Sequence, residues 1–392
     1  ARGLGDVYKR QLTQLIPDLY QSLDIVSREL CGFIPSITLD ATAERAALNQ
    51  PIRIPVTPAS DAEDVKPGQL PPDDGDQDIG NVSLAITKSR MVPFRWEGEQ
   101  QKGIKSGPGY HGIRRDQVTQ AMRTLVNEIE EDLGELFRRA SRASGEAGKT
   151  PFKDTLTDTA QVRKILTDNG APLSDLQCVI DTTAGAALRT MAQLTKANEA
   201  GTTALRSQGT LLELHGFTLR ESAGVAQVKS ESGEKPLKDR TLTVAEDCPE
   251  GSLSVKIQPS DGDNSKSSVP DFVKQGCVVI IGKDKYVVAA NSYNTIEIHE
   301  PGLMEKVKAG TKLEVVSDFI ANFAFSRSAI ILATRAPALP EEGDMADARI
   351  MITDPRTNMS FEVSMYRQYR RVRYEIAAAW GCQNIKPEHS AL

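Results

Sequence analysis

The stretch ASGEAGKT, at positions 143–150, has the loose spacing of a phosphate-binding loop, ending on Lys149 and Thr150. Such a loop works when it follows a strand and opens a helix, so that backbone N–H groups and the helix N-terminus converge on the phosphates. Here a long helical pattern precedes it, Pro151 follows at once, and Ala143 stands at the first glycine position. A helix-terminating turn is the better reading, with a P-loop nucleotide hydrolase as the remote alternative. Positions 261–272 (DGDNSKSSVPDF) and 74–78 have the texture of calcium loops. The first, however, carries Lys266 at the turn-glycine position and Phe272 where a bidentate glutamate belongs. The five cysteines (Cys31, Cys178, Cys248, Cys277, Cys382) never fall in CxxC spacing, and the four histidines are far apart, which argues against zinc and for reduced thiols. No Ser/His/Asp, Cys/His or paired-carboxylate set can be placed by spacing. The expectation is a protein that is not an enzyme, with no catalytic, cofactor-binding or metal-ligating residues.

Two charge patterns remain. Arg367, Arg370, Arg371 and Arg373 alternate with Tyr366, Tyr369 and Tyr374. Basic residues mixed with aromatics can bind nucleic acid through phosphate contacts and stacking. The competing reading is an ion-pair face, across strands or between subunits, and the chain's net charge of −6 favours it. Upstream, the window 61–78 holds seven acids and one base, and the window 88–123 holds eight bases and three acids. An acidic arm followed by a basic one implies contact with each other or with a neighbouring copy. Asp73, Asp74, Asp76, Arg90 and Arg95 are the candidates.

The elements that carry these residues can be read in order. The length of 392 residues predicts two or three domains, and 39% hydrophobic with 26% charged content allows a substantial core. No run reaches the roughly 18 apolar residues of a membrane span, and no signal-peptide pattern is present. Within residues 1–11, the string DVYKRQ resembles the translation of a transposon end used in sequencing-library preparation. Those residues are therefore expected to be foreign, with the native chain resuming near Leu12. Residues 12–50 form an N-terminal arm: a helix over 12–30 that Pro17 bends or restarts, then an extended segment over 31–37. Residues 51–112 read as an extended, charged hairpin with little core of its own. In it, 52–56 is an edge segment rich in proline, and 82–87 pairs with 91–96. Over 115–144, Val118, Met122, Leu125, Ile129, Leu133, Leu136 and Ala140 fall in steps of three and four on one helical stripe, interrupted only by Gly134. At 1.5 Å per residue that helix would be roughly 45 Å long. Mixed structure over 113–220 follows from it: a helix at 159–168, a buried strand at 176–180, a small-residue helix at 183–195, and strands at 210–214 and 217–220. Within 221–320, seven short strand patterns (225–228, 241–244, 253–257, 278–281, 286–289, 295–298, 313–316) predict an inserted β-barrel. Residues 321–392 return to the mixed core, with strands at 329–333, 350–353 and 361–365. The fold class is α+β, and no internal repeat is found.

This order of parts resembles the major coat protein of tailed bacteriophages, the HK-ninety-seven-type capsid fold. The inserted barrel is similar to the P-twenty-two-type branch. Two runs carry the likeness: VKQGCVVIIGKDKYVVAANSYNTIEIHEPGL at 273–303 and FEVSMYRQYRRVRYEIAAAWGCQNIKPEHSAL at 361–392. The resemblance implies an N-arm, an extended β-hairpin loop, a long spine helix, and peripheral and axial domains. It implies a virion protein assembled in the bacterial cytoplasm, as hexamers and pentamers, into an icosahedral head. The implied partners are a scaffolding protein, a portal protein and packaged double-stranded DNA bound non-specifically. A loop over 229–240 would reach a neighbour, which makes Lys229, Glu234, Lys235, Lys238 and Arg240 further contact candidates. A DNA-binding or tail-associated virion protein is the alternative.

Overall fold

The structure is a computed structural model that describes residues 16–28, 32–56, 80–105, 110–153, 155–191, 213–229, 242–259, 273–292, 294–316, 318–355 and 357–392. The amphipathic stripe forms a 25-residue α-helix, Tyr110–Gly134, that tightens into a 3-10 turn over Glu135–Arg139. This spine helix starts five residues before the predicted 115 and loses α geometry at Gly134 rather than running to 144. At that residue a Cβ would lie 2.1 Å from the Gly224 carbonyl oxygen. The glycine is there to let another backbone pass. Val118, Met122, Leu125, Ile129, Leu133 and Ala140 of the predicted stripe are buried, whereas Leu136 is half-buried and Phe137, within the 3-10 turn, is the buried residue there. The helix Ile16–Arg28 lies against its first turns through Leu19, Leu23 and Val26. Pro17 sits in the first turn of that helix, where a missing N–H costs nothing, and Arg114 pairs with Asp18 at 2.6 Å.

The other face of this core is a six-stranded sheet built on one long strand, Arg371–Asn384. Along one edge it pairs with Lys88–Glu97. Along the other it pairs first with Ser360–Gln368 and then with Ile330–Pro337. Ala348–Thr353 and Thr38–Ala46 close the two ends, the latter parallel to Ile330–Pro337. Residues on the spine side, Phe361, Val363, Ile376, Ala378 and Trp380, alternate with residues on the far side, as a period of two requires. Two strand assignments change here. Thr38–Ala46 (TLDATAERA) is a strand, although its local pattern carries no strand signal. It owes its conformation to pairing with a segment almost 300 positions later. The stretch 91–96 does not pair with 82–87. Gly80–Ala85 pairs instead with Pro51–Val56, whereas Lys88–Glu97 belongs to the main sheet. The switch occurs at Ile86 and Thr87: Ile86 is fully buried, and the Thr87 N–H donates to the Trp380 carbonyl at 3.0 Å.

A second, five-stranded sheet (Ser390–Ala391, Phe323–Ser326, Leu176–Ile180, Phe217–Glu221, Glu213–Leu214) is flanked by helices Thr157–Asp168 and Thr182–Thr190. Asp181 caps the latter helix by accepting from the Thr183 and Ala184 N–H groups at 3.0 and 3.1 Å. That helix ends at Thr190, where Met191 is extended, short of the predicted 195; residues 192–195 and the predicted strand start at 210 lie outside the described residues.

The barrel is present and closed. Its six strands run in the order Ser254–Pro259, Thr295–Ile298, Asp284–Ser292, Val278–Ile281, Lys312–Val316, Leu242–Val244. It has its own core, centred on Val244, Val255, Val279, Val288 and Ile296. The predicted strand at 225–228 is not part of it. Gln227–Val228 pairs with Phe319–Ile320 in a two-stranded ribbon that forms the neck of the insertion, where the chain leaves for the barrel and comes back. Two short strands are enough for that task, because Phe319 packs edge-to-face on Phe137 of the spine at 6.3 Å.

Candidate assembly interface

Beside the sheet lies the antiparallel pair Pro51–Val56 with Gly80–Ala85, alternately exposed and half-buried along the first strand and buried at Leu84 in the second. At its root, Ile52, Ile54, Leu84 and Ile86 pack on Ile331, Ala333 and Ala379, on the sheet face away from the spine helix. There the chain crosses Gly381 so closely that a Cβ would lie 2.0 Å from the Ala85 carbonyl oxygen. Lys88, one residue beyond the root, reaches Asp132 of the spine helix at 2.6 Å, and the same carboxylate accepts from the Trp380 indole N–H at 2.8 Å.

The contact candidates fall in different places. Asp73, Asp74 and Asp76, and likewise Glu234, Lys235, Lys238 and Arg240, lie outside the described residues. So do the loops at 74–78 and 261–272. Lys229 is exposed at the end of the neck ribbon. Arg90 pairs with Glu128 of the spine helix at 3.1 Å, while Arg95 stands exposed in register with Arg373. In the Arg/Tyr run, Arg367 pairs with Asp347 at 3.5 Å, Arg371 with Glu97 at 2.8 Å and Arg373 with Glu375 at 2.5 Å. Tyr374 stacks on Phe94 at 5.3 Å. The run is an ion-paired strand face, with Tyr369 and Arg370 at a two-residue hairpin turn where Tyr369 is 89% exposed.

ASGEAGKT runs as an irregular loop. Gly145 and Gly148 turn it with φ of +77° and +79°. Its lysine pairs with Glu146 at 2.5 Å in solvent. The loop follows the spine helix rather than a strand, and the next helix opens only at Thr157, seven residues after Thr150, in contrast to the strand–loop–helix order that phosphate binding needs. The loop borders a cavity of about 1090 Å³ between the barrel, the neck and the smaller sheet. Among the described residues no group of three or more His, Cys, Asp or Glu is placed to hold a metal, and no helix is long and apolar enough to cross a membrane.

The junction of arm, spine and neck is built on residues that sequence reasoning passed over. Glu130, only 4% exposed, accepts from the Phe33 N–H at 3.1 Å, the Ile34 N–H at 2.9 Å and the Ser222 hydroxyl at 2.8 Å. Ser222 Oγ in turn accepts from the Gly224 N–H at 3.1 Å. A signal did exist. Glu130 lies four residues before Gly134, on the same helical face, and an isolated glycine within a helical pattern marks a packing contact. Burial pushes the Glu130 carboxyl above the ordinary value of 4.5, against the opposing pull of its donors. A raised carboxyl contributes stability that is complete below the ordinary value and is lost as pH rises through the raised one. The unfolding free energy of the parent should therefore fall relative to Glu130→Gln as pH is raised from 4.5 into the neutral range. Denaturant titrations of both proteins across that range measure the difference, and a flat difference would contradict the assignment.

Arg142 plays a similar part on the barrel side. Its buried guanidinium lies 3.8 Å from Asp168 of the smaller domain and 3.8 Å from Asp284 of the barrel, and donates to the Asn169 side-chain oxygen at 3.0 Å.

No protein-family model matches this chain, and no curated protein matches it significantly. Among solved structures it is similar to a chain of Mycobacterium phage Che8, at 13% identity and a TM-score of 0.43 over 89% of this chain and 88% of that one. It is also similar to the capsid of cyanophage P-SCSP1u, at 10% identity and a TM-score of 0.47 over 91% and 85%. A third is the mature capsid of bacteriophage PhiM1, at 10% identity and a TM-score of 0.43 over 92% and 86%.

Proposed function

We propose that this chain is the major coat subunit of a tailed phage or prophage, a non-enzymatic virion protein whose copies build an icosahedral head around double-stranded DNA. One observation carries the reading: the succession of parts in a single chain. An arm strand laid along the sheet, an antiparallel strand pair seated on a close crossing at Gly381, a 25-residue spine helix and a closed barrel on a two-stranded neck follow one another in the order that the sequence resemblance implies. A hairpin with an apolar root and polar flanks has little core of its own, so a second copy is its natural support. Hexamers and pentamers, a scaffolding protein, a portal and non-specific DNA contact complete the proposal. Co-expression with a scaffolding partner, followed by negative-stain microscopy, should give closed shells or tubes. A chain that stays monomeric at high concentration would refute the reading.

The DNA-binding alternative is weakened by the carboxylates that already partner Arg367, Arg371 and Arg373. The acidic window bears on the main reading directly. Reversing the charges of Asp73, Asp74 and Asp76 should lower shell yield while subunit melting stays near the parent's. Melting that drops while assembly survives would assign the window to its own subunit.

A further inference from the structure

Three segments distant in sequence converge on one buried carboxylate. The arm contributes the Phe33 and Ile34 N–H groups at the start of the 3-10 turn Ile34–Ser36. The spine helix contributes Glu130. The barrel neck contributes the Ser222 hydroxyl and, through it, the Gly224 N–H. Glycines stand wherever these segments touch. A Cβ on Gly32 would lie 2.8 Å from Ser222 Cβ, one on Gly134 2.1 Å from Gly224 O, and one on Gly224 3.1 Å from the Glu130 carbonyl oxygen. The segments therefore approach one another closely at these glycines, and the side chains that join them there are those of Glu130 and Ser222.

We propose that Glu130 is a shared latch, whose two carboxylate oxygens couple the position of the N-terminal arm to that of the barrel neck. Oε2 accepts from both Phe33 and Ser222, and Oε1 from Ile34. Neither the arm nor the neck can leave without stranding a buried charge that the other must then hold alone, which is the costly arrangement for a desolvated carboxylate. A force on the arm, such as a neighbour gripping it, thus loosens the neck of the barrel, and a force on the barrel loosens the arm. Linkage makes the effect reciprocal. The coupling is a property of one chain and stands whether or not the chain builds a shell.

The test is hydrogen exchange on the full chain. Ser222→Ala removes the neck's donor to Glu130 together with the acceptor of the Gly224 N–H, both on the neck side. It leaves untouched the second tie between these regions, Arg220 donating to Ser36 Oγ at 2.9 Å. Exchange of the arm peptide 32–37 should become about tenfold faster, the order expected for a lost hydrogen bond to a charged group. The barrel strand Val278–Ile281 and the spine residues 118–129 should keep the parent's rates. Gly32→Ala, a change on the arm, should reciprocally speed exchange in the ribbon Gln227–Val228. Glu130→Gln should loosen both, and should it fail to fold, the other two variants decide. Arm exchange within about twofold of the parent in Ser222→Ala, or acceleration by the same factor in all three peptides, would overturn the latch, the second because it reports only global destabilisation.

Discussion

Gly381→Ala is expected to destabilise the chain by about 3 kcal/mol or more and to abolish assembly. The added Cβ would stand 2.0 Å from the Ala85 carbonyl oxygen, 3.0 Å from its carbon and 3.1 Å from Ile86 Cα. All three are backbone atoms, so no rotamer change relieves the clash. Either the hairpin root lifts off the sheet or the central strand shifts, and the central strand is held on both edges by Lys88–Glu97 and Ile330–Pro337. The root is the part that can move. Its departure exposes Leu84 and Ile86, which are 2% and 0% exposed, and each such side chain contributes about 1.5–3 kcal/mol through burial. Denaturant unfolding gives the stability change, limited proteolysis over 51–87 reports the lifted root, and microscopy reports the shells. Gly80→Ala in the same hairpin is the control, since nothing lies within 4 Å of its Cβ position. Near-parent stability and normal shells in Gly381→Ala would show that the crossing is looser than described.

How much of this was legible beforehand follows from the range of the forces involved. The spine helix could be read because its stripe repeats locally, and Val118 through Leu133 are buried as the spacing requires. The barrel could be read because turn signals such as Gly282, which has φ of +65°, separate short apolar runs. Pairing could not be read. Thr38–Ala46 is a strand only because Ile330–Pro337 lies beside it, and 82–87 had an attractive but wrong partner at 91–96. Propensity describes a segment and its period; it does not say which distant segment supplies the hydrogen bonds. The buried polar joints were missed for the same reason. Glu130 and Arg142 look like ordinary solvated charges until the arm, the neck and the barrel are brought to them. For the acidic window, the sequence remains the guide.

Gly134→Ala sets a local gain against a tertiary loss. In an isolated helix, alanine for an interior glycine adds about 1 kcal/mol of stability. Here the same methyl would lie 2.1 Å from the Gly224 carbonyl oxygen and 3.2 Å from its carbon, with the Phe33 ring at 3.6 Å. Opening that contact to an ordinary van der Waals distance requires the neck to move by more than 1 Å, which is a large displacement in a packed interior. The cost of such overpacking against backbone, about 3 kcal/mol, outweighs the propensity gain. It comes with a second loss, because Gly224 cannot retreat without stretching the Ser222–Glu130 hydrogen bond. The net expectation is a destabilisation of about 2 kcal/mol or more, concentrated at the neck. Gly112→Ala, in the first turn of the same helix with nothing within 4 Å, isolates the propensity term and should be neutral or stabilising by up to about 1 kcal/mol. Unfolding titrations of the pair separate the two terms. If Gly134→Ala were as stable as Gly112→Ala, the glycine would be a helix defect and not the point where the barrel neck is seated against the spine.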